Sequence, residues 1–250
     1  MHRFYVPDLG SENHVWLVGA EAHHAVHVRH VAVGEEVAVF DGSGLECVGL
    51  VERAERKQAK IAILRREKVD RDPHLAVTLA CAVVKAKAMD ELVDMCSEMG
   101  VREIVPLETR RTVPKVERKE AARVARWERT AIEASKQCGR TTVTRIGAPR
   151  PLPTLLEKAG QWDLRLIFAL DDEAFPLRRV LDEHPEPRSA LYLIGPEGGF
   201  ERAEVRAAMA AGFEPVRLGP STLRTETAAV AALAALLHHY EQGSALPPAR

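Results

Sequence analysis

The run Ala190–Ile194 is apolar without interruption, as expected of a strand buried on both faces. The segment Glu201–Ala211 that follows has helical spacing. Between them stands Gly195-Pro196-Glu197-Gly198-Gly199-Phe200, three glycines and a proline around one carboxylate. The stretch Leu218-Gly219-Pro220-Ser221-Thr222-Leu223-Arg224-Thr225-Glu226-Thr227-Ala228 repeats the form: strand end, Gly-Pro loop, helix start. Joints of this kind confine a chain to an open parallel sheet, whose ligands bind beyond the carboxyl ends of its strands. Glycines at such ends let a ligand approach the backbone closely. The two loops are therefore expected to form one binding site.

The alternation extends back to residue 75. Leu75–Val84, Glu103–Leu107, Asp163–Leu170, Ala190–Ile194 and Glu214–Leu218 read as strands. Met89–Met99, Glu117–Cys138, Leu152–Ala159, Phe175–Asp182, Glu201–Ala211 and Arg224–Tyr240 read as helices, and Thr142–Ile146 as extended. The long helix is expected to bury Val124, Trp127, Ala131, Ala134 and Cys138. The last helix is apolar on nearly all sides, so it is expected to be buried or shared with a second subunit. Residues 1–72 differ. Val15–Val18, Glu36–Asp41, Glu46–Glu52 and Lys60–Arg66 are short β-rich runs separated by turn signals, with a short helix over Ala22–His30. A compact barrel fits that pattern. The polar stretch ending at Pro73 divides a β domain, 1–72, from an α/β domain, 73–250.

The net charge is −1, yet residues 102–150 carry 13 Lys/Arg against 6 Asp/Glu. A local basic segment fits a polyanion footprint, and equally a solvated helix face. No apolar run is long enough to cross a membrane. Cys47, Cys81, Cys96 and Cys138 form no CxxC pair and are expected to be buried reduced thiols, as in the cytoplasm. The ten histidines lack ligand-spaced companions, so no metal is expected.

Val83-Val84-Lys85-Ala86-Lys87 stands where a dinucleotide fold would carry its glycine fingerprint, and no P-loop pattern occurs. A phosphate beside Gly195 would meet Glu197 and Glu201, so a neutral or cationic ligand suits the loop better. Glu226 can serve simply as a first-turn acid of the last helix, and Thr222 or Thr225 as its cap. Arg224 opposes the helix dipole there, which points to a carboxylate or phosphate partner.

These residues resemble the RsmE family, SPOUT-superfamily methyltransferases of small-subunit ribosomal RNA. The resemblance rests on Ile194–Phe200 and Leu223–Ala228. It is supported by Gln137-Cys138-Gly139-Arg140, by Phe40-Asp41-Gly42-Ser43-Gly44, and by Arg3 and Arg111. It implies an N-terminal PUA-like RNA-binding β-barrel and a C-terminal trefoil-knotted parallel-sheet domain. It also implies a homodimer that takes S-adenosylmethionine (SAM) and methylates N3 of a uridine in 16S rRNA, free or in the small ribosomal subunit. Leu170, Ile194, Gly195, Gly199, Leu218, Gly219 and Leu223 would hold SAM. Arg224 would stabilise the uridine anion, oriented by Glu197 or Glu226, with Glu226 also open to a role as base. Glu197 is equally open to facing the sulfonium or holding its loop. Arg3, Lys85, Arg111, Lys115 and Arg140 would meet rRNA phosphates.

The chain departs from the family pattern at His30, Ala88 and Ser221, each of which removes or moves a positive charge. Two rival readings remain: methylation of another RNA atom, and an RNA-binding assembly factor without catalysis. A pure binder has no need of Gly195, Gly199, Leu223, Arg224 and Glu226.

Overall fold

The computed structural model describes residues 1–112, 120–169 and 173–241. The chain divides into two compact units, one of residues 1–72 with 132–143, the other of 73–131 with 144–250.

The first unit is built on β1 (His2–Tyr5), β2 (His14–Val18), α1 (Gly19–His23), β3 (Glu36–Phe40), β4 (Leu45–Glu55) and β5 (Gln58–Lys68). The strands form one sheet in the order β1-β3-β4-β5-β2, antiparallel except for the β1–β3 pair. Sequence reading missed β1, a four-residue strand just before Pro7 with little length to show a period. The expected helix over Ala22–His30 is instead α1 followed by a π-helical turn, His24–Val28. His30 ends it at φ 53°, a left-handed conformation rare for a side-chain-bearing residue. Alternate strand residues, among them Phe4, Val15, Leu17, Val37, Val39, Val51 and Ile61, point into the core.

The second unit contains β6 (Ala76–Ala82), α2 (Ala86–Glu98), β7 (Glu103–Glu108), α3 (Glu120–Cys138), β8 (Arg145–Ile146), β9 (Arg150–Pro151), α4 (Leu152–Leu156), β10 (Leu164–Phe168), β11 (Phe175–Pro176), α5 (Leu177–Glu183), β12 (Ser189–Ile194), α6 (Arg202–Ala210), β13 (Glu214–Arg217) and α7 (Thr225–Tyr240); the end of α3 lies in the first unit. All pairings in its sheet are parallel, in the order β11-β13-β10-β12-β6-β7-β8, with β9 also on β7. Both faces are covered, which is why β12 reads as an apolar run and β6 is broken only by Thr78. On one face Ala80, Val105, Ile167, Leu191 and Leu193 pack with Leu152 and Leu155 of α4 and Val205 and Ala208 of α6. On the other lie α2 and α7, which pack on each other and, through α7, on β6 and β12. There the fully buried Tyr192 donates its hydroxyl to the Ala229 carbonyl at 3.1 Å. Burial first, then Cys96 and Cys81, pushes its phenol well above the usual range.

The last turns of α3 correct one expectation. Cys138 is exposed, and Ser135 and Lys136 are buried in its place. Ser135 Oγ donates to the Thr142 carbonyl at 3.0 Å. The Lys136 ammonium lies within hydrogen-bond distance of Glu21 Oε1 (2.9 Å), Glu133 Oε1 (2.8 Å) and His24 Nδ1 (2.9 Å). Glu21, His24 and Glu133 hold ligand atoms within 4.8 Å of one another. The ammonium among them already supplies the positive charge a metal would bring.

Candidate functional site

β10 lies between β12 and β13, with Phe168 opposite Ile194 on one side and Val216 on the other. Three strand ends therefore open on the same edge, and the loops after them enclose a cleft of about 510 Å³. That volume lies within the usual range for a small-molecule site, roughly 300–1,000 Å³.

The first glycine loop is closed on itself. The Gly199 amide donates to the Pro196 carbonyl at 2.8 Å, and Gly199 holds φ at 68°. A Cβ on Gly195 would stand 3.2 Å from the Gly199 carbonyl carbon and from Phe200 N, so a side chain would push the turn open. The second loop is tied to the first by one buried contact: Thr225 Oγ1 donates to the Gly195 carbonyl at 3.1 Å. Glu201 starts α6 with a capping box, in which its side chain accepts from the Glu204 amide and Glu204 accepts from the Glu201 amide.

Of the residues singled out in the sequence, Glu197, Ile194, Gly195, Gly199, Leu218, Gly219, Leu223 and Arg111 line the cleft. Leu170 and Lys115 lie outside the described residues. Arg224 and Glu226 do not line it. Arg224 is exposed at the N-cap of α7 and Glu226 half-buried one residue past Thr225. Glu197 and Glu226 nonetheless share a field, since both act on the buried Cys81 thiol at the end of β6. Burial chiefly, then Cys96 and these two carboxylates, raises that thiol well above its ordinary value. Lys85 is exposed at the N-cap of α2 and stands away from the cleft lining.

Arg3 and Arg140 stand differently from the expected open phosphate contacts. Both belong to a part-buried network of the first unit. Arg3 pairs with Glu46, donates to the Arg140 carbonyl at 2.8 Å and covers the Phe40 ring. Arg140 pairs with Asp72 at 2.8 Å and donates to Thr142 Oγ1 at 3.1 Å.

Sequence reasoning missed Phe168, Val205 and Val216, which line the cleft as ordinary sheet and helix residues. It also missed Arg202 and Arg217, which make the cleft wall basic. A signal existed for Arg217, an exposed charged side chain that follows the buried Pro215 and Val216 at the end of a strand.

A model described as an RNA methyltransferase domain matches residues 71–237, and one described as an RNA methyltransferase PUA domain matches residues 17–64. The chain belongs to the RNA methyltransferase family. Within the family it is 31% identical to "Ribosomal RNA small subunit methyltransferase E" of Synechocystis over 91% of this chain and 74% of that one. It is 30% identical to the Mycobacterium bovis protein of the same name over 93% and 90%. Among solved structures, a putative methyltransferase of Legionella pneumophila in complex with SAM superposes with a TM-score of 0.88 at 32% identity, covering 94% of this chain and 96% of that one. Ribosomal RNA small subunit methyltransferase E of Neisseria gonorrhoeae, bound to S-adenosyl methionine, gives 0.86 at 31% identity over 95% and 97%. The α/β fold with a parallel sheet and the PUA domain expected from the sequence agree with these relatives.

Proposed function

We propose that this RNA methyltransferase binds SAM in the cleft and methylates N3 of a uridine in 16S rRNA, acting as a cytoplasmic homodimer. The observation that carries the reading is the Thr225–Gly195 contact. It joins the two glycine loops into one wall whose backbone groups can read a ligand. The lining suits SAM: glycine backbone for a planar base, the Glu197 carboxylate for a cation, and the guanidinium groups of Arg202 and Arg217 for a carboxylate. SAM supplies an electrophilic methyl group on a positively charged sulfur.

The chain's own task is to make uridine N3 nucleophilic. The N3 proton must leave, and the negative charge then spreads over O2 and O4. Arg224, exposed beside the cleft, would stabilise that charge, and Glu197 or Glu226 would orient it. As the N3–CH3 bond forms and the C–S bond breaks, the electron pair returns to sulfur, giving 3-methyluridine and S-adenosylhomocysteine. Lys85 is left as an outward-facing candidate for phosphate contact.

Two features support the remaining parts of the reading. Thr227, Ala231, Ala234 and His238 form a stripe of α7 that is exposed or half-buried. Small residues in that position suit a second copy of the chain. The passage from β13 past the loop after β12 to α7, which returns under β12 and β6, is the route on which we place the trefoil knot.

Mass spectrometry of 16S rRNA fragments from cells lacking and re-expressing the protein tests the activity. One 3-methyluridine should vanish and return; an unchanged rRNA would sink the reading.

A further inference from the structure

Glu204 has no part in the chemistry above and does not line the cleft. It nevertheless makes two bonds to different parts of the unit. Oε2 accepts from the Glu201 amide at 2.8 Å, the return half of the capping box. Oε1 accepts from the Arg110 amide at 2.9 Å, across 94 positions of sequence. A helix cap requires only the first. Arg110 belongs to the loop after β7, which is turned by the Thr109 amide on Thr112 Oγ1 at 2.9 Å and the Thr112 amide on the Thr109 carbonyl at 3.1 Å.

The next residue, Arg111, lines the cleft and donates from Nη1 to the Gly198 carbonyl at 2.6 Å. A Cβ on Gly198 would stand 3.4 Å from Arg111 Cδ, so the arginine stem lies flat on the glycine loop. Two adjacent residues thus fasten the β7 loop to the glycine loop. One is held from α6 by Glu204, and the other reaches directly into the cleft wall.

We propose that Glu204 is a positioning residue. With Arg111 it clasps the loop after β7 onto the glycine loop, and the clasp sets how firmly the cleft retains SAM. The inference rests on the reading of the cleft as the SAM site. Arg111, expected from the sequence to meet phosphate, becomes a wall of the cleft. Glu204 acts through it, holding the backbone from which Arg111 projects.

Glu204→Ala and Glu201→Ala separate clasping from capping. Both break the capping box, but only the first releases Arg110. In SAM calorimetry Glu204→Ala should raise Kd about tenfold, and Glu201→Ala less than about threefold. Glu204→Gln keeps one acceptor oxygen and should fall between them. Affinity for an rRNA fragment, and its salt dependence, should hold in all three. Equal rises for Glu204→Ala and Glu201→Ala would reduce Glu204 to a helix cap and overturn the proposal. It would fall equally if Arg111→Ala flattened the salt dependence of rRNA binding and left SAM affinity intact.

Hydrogen exchange reads the clasp without any ligand. The Arg110 and Gly199 amides should exchange faster in Glu204→Ala than in Glu201→Ala, and equal exchange overturns the clasp. If the wild-type protein bound no SAM and the two variants still differed in exchange, the reading of the cleft would be overturned and the clasp kept.

Discussion

The two units employ arginine in opposite ways. In the barrel unit Arg3, Arg71 and Arg140 are folded inward onto Glu46 and Asp72, with side-chain exposures of 12%, 18% and 6%. Arg71 also donates to the Gly139 carbonyl at 2.6 Å. In the sheet unit Arg111, Arg202 and Arg217 line an open cleft and Arg224 stands exposed beside it. The first group is spent. Arg3 and Arg71, held on the buried Glu46, would strand its charge if they turned to a phosphate, and Arg140 is itself nearly enclosed beside Asp72. The second group keeps its surroundings open to a ligand. A basic residue becomes part of a binding surface where the fold does not already hold it against a buried carboxylate.

The comparison breaks most visibly at Glu46, which is 2% exposed and paired with both Arg3 and Arg71. Glu46→Ala would leave two largely covered cations without their buried carboxylate and should cost about 3 kcal/mol of stability, read by urea denaturation. A loss under about 1 kcal/mol would mean the network is wet and its arginines available after all.

On the other side, Arg224→Ala should leave folding and SAM affinity nearly intact while lowering the rate of methyl transfer about 10²–10³-fold. Single-turnover kinetics on an rRNA fragment would measure it. An unchanged rate would return Arg224 to the class of ordinary exposed arginines.

Sequence reading reached these regions unequally, for physical reasons. The strands β6 and β12 were legible because burial on both faces demands nearly unbroken apolar runs. The glycine loop was legible because glycines cluster where backbone approaches backbone: a Cβ at Gly195 would stand only 3.2 Å from Phe200 N. What pattern could not reach was partnership at a distance. Arg3 and Arg140 looked like phosphate ligands because Glu46 and Asp72, their partners, lie far off in sequence. Cys138 looked like core because helical spacing continues past the point where α3 enters the first unit and buries Ser135 and Lys136 instead. The Glu204–Arg110 bond was invisible for the same reason: Glu201-x-x-Glu204 reads as a capping box and is complete as one.

A smaller effect tests whether the sheet unit's two loops act as one wall. Thr225→Val keeps the shape of the buried side chain and removes its bond to the Gly195 carbonyl. The cost should be about 1–2 kcal/mol in stability, with weaker SAM binding. Lost stability with SAM affinity untouched would mean that the contact serves the fold alone.

The smallest effect is a pH dependence confined to the barrel unit. His24 faces the Lys136 ammonium at Nδ1 and the Arg29 guanidinium, whose Nε lies 3.1 Å from its Nε2. Burial first, then Lys136, lowers its pKa from the ordinary 6.5; Glu133 and Glu21 pull it back, and Arg29 lowers it again. Well above 6.5 the ring is neutral in both states and contributes nothing to the slope. As pH falls below that value the unfolded chain takes the proton first, so stability declines until the folded ring also charges, and then levels. His24→Asn removes this component. Between about pH 7 and pH 5 the variant's stability should fall less steeply than the wild type's. Identical slopes would mean that Lys136, Glu21 and Glu133 rearrange to admit the charged ring, and that this part of the barrel network is less rigidly spent than Glu46 and its arginines.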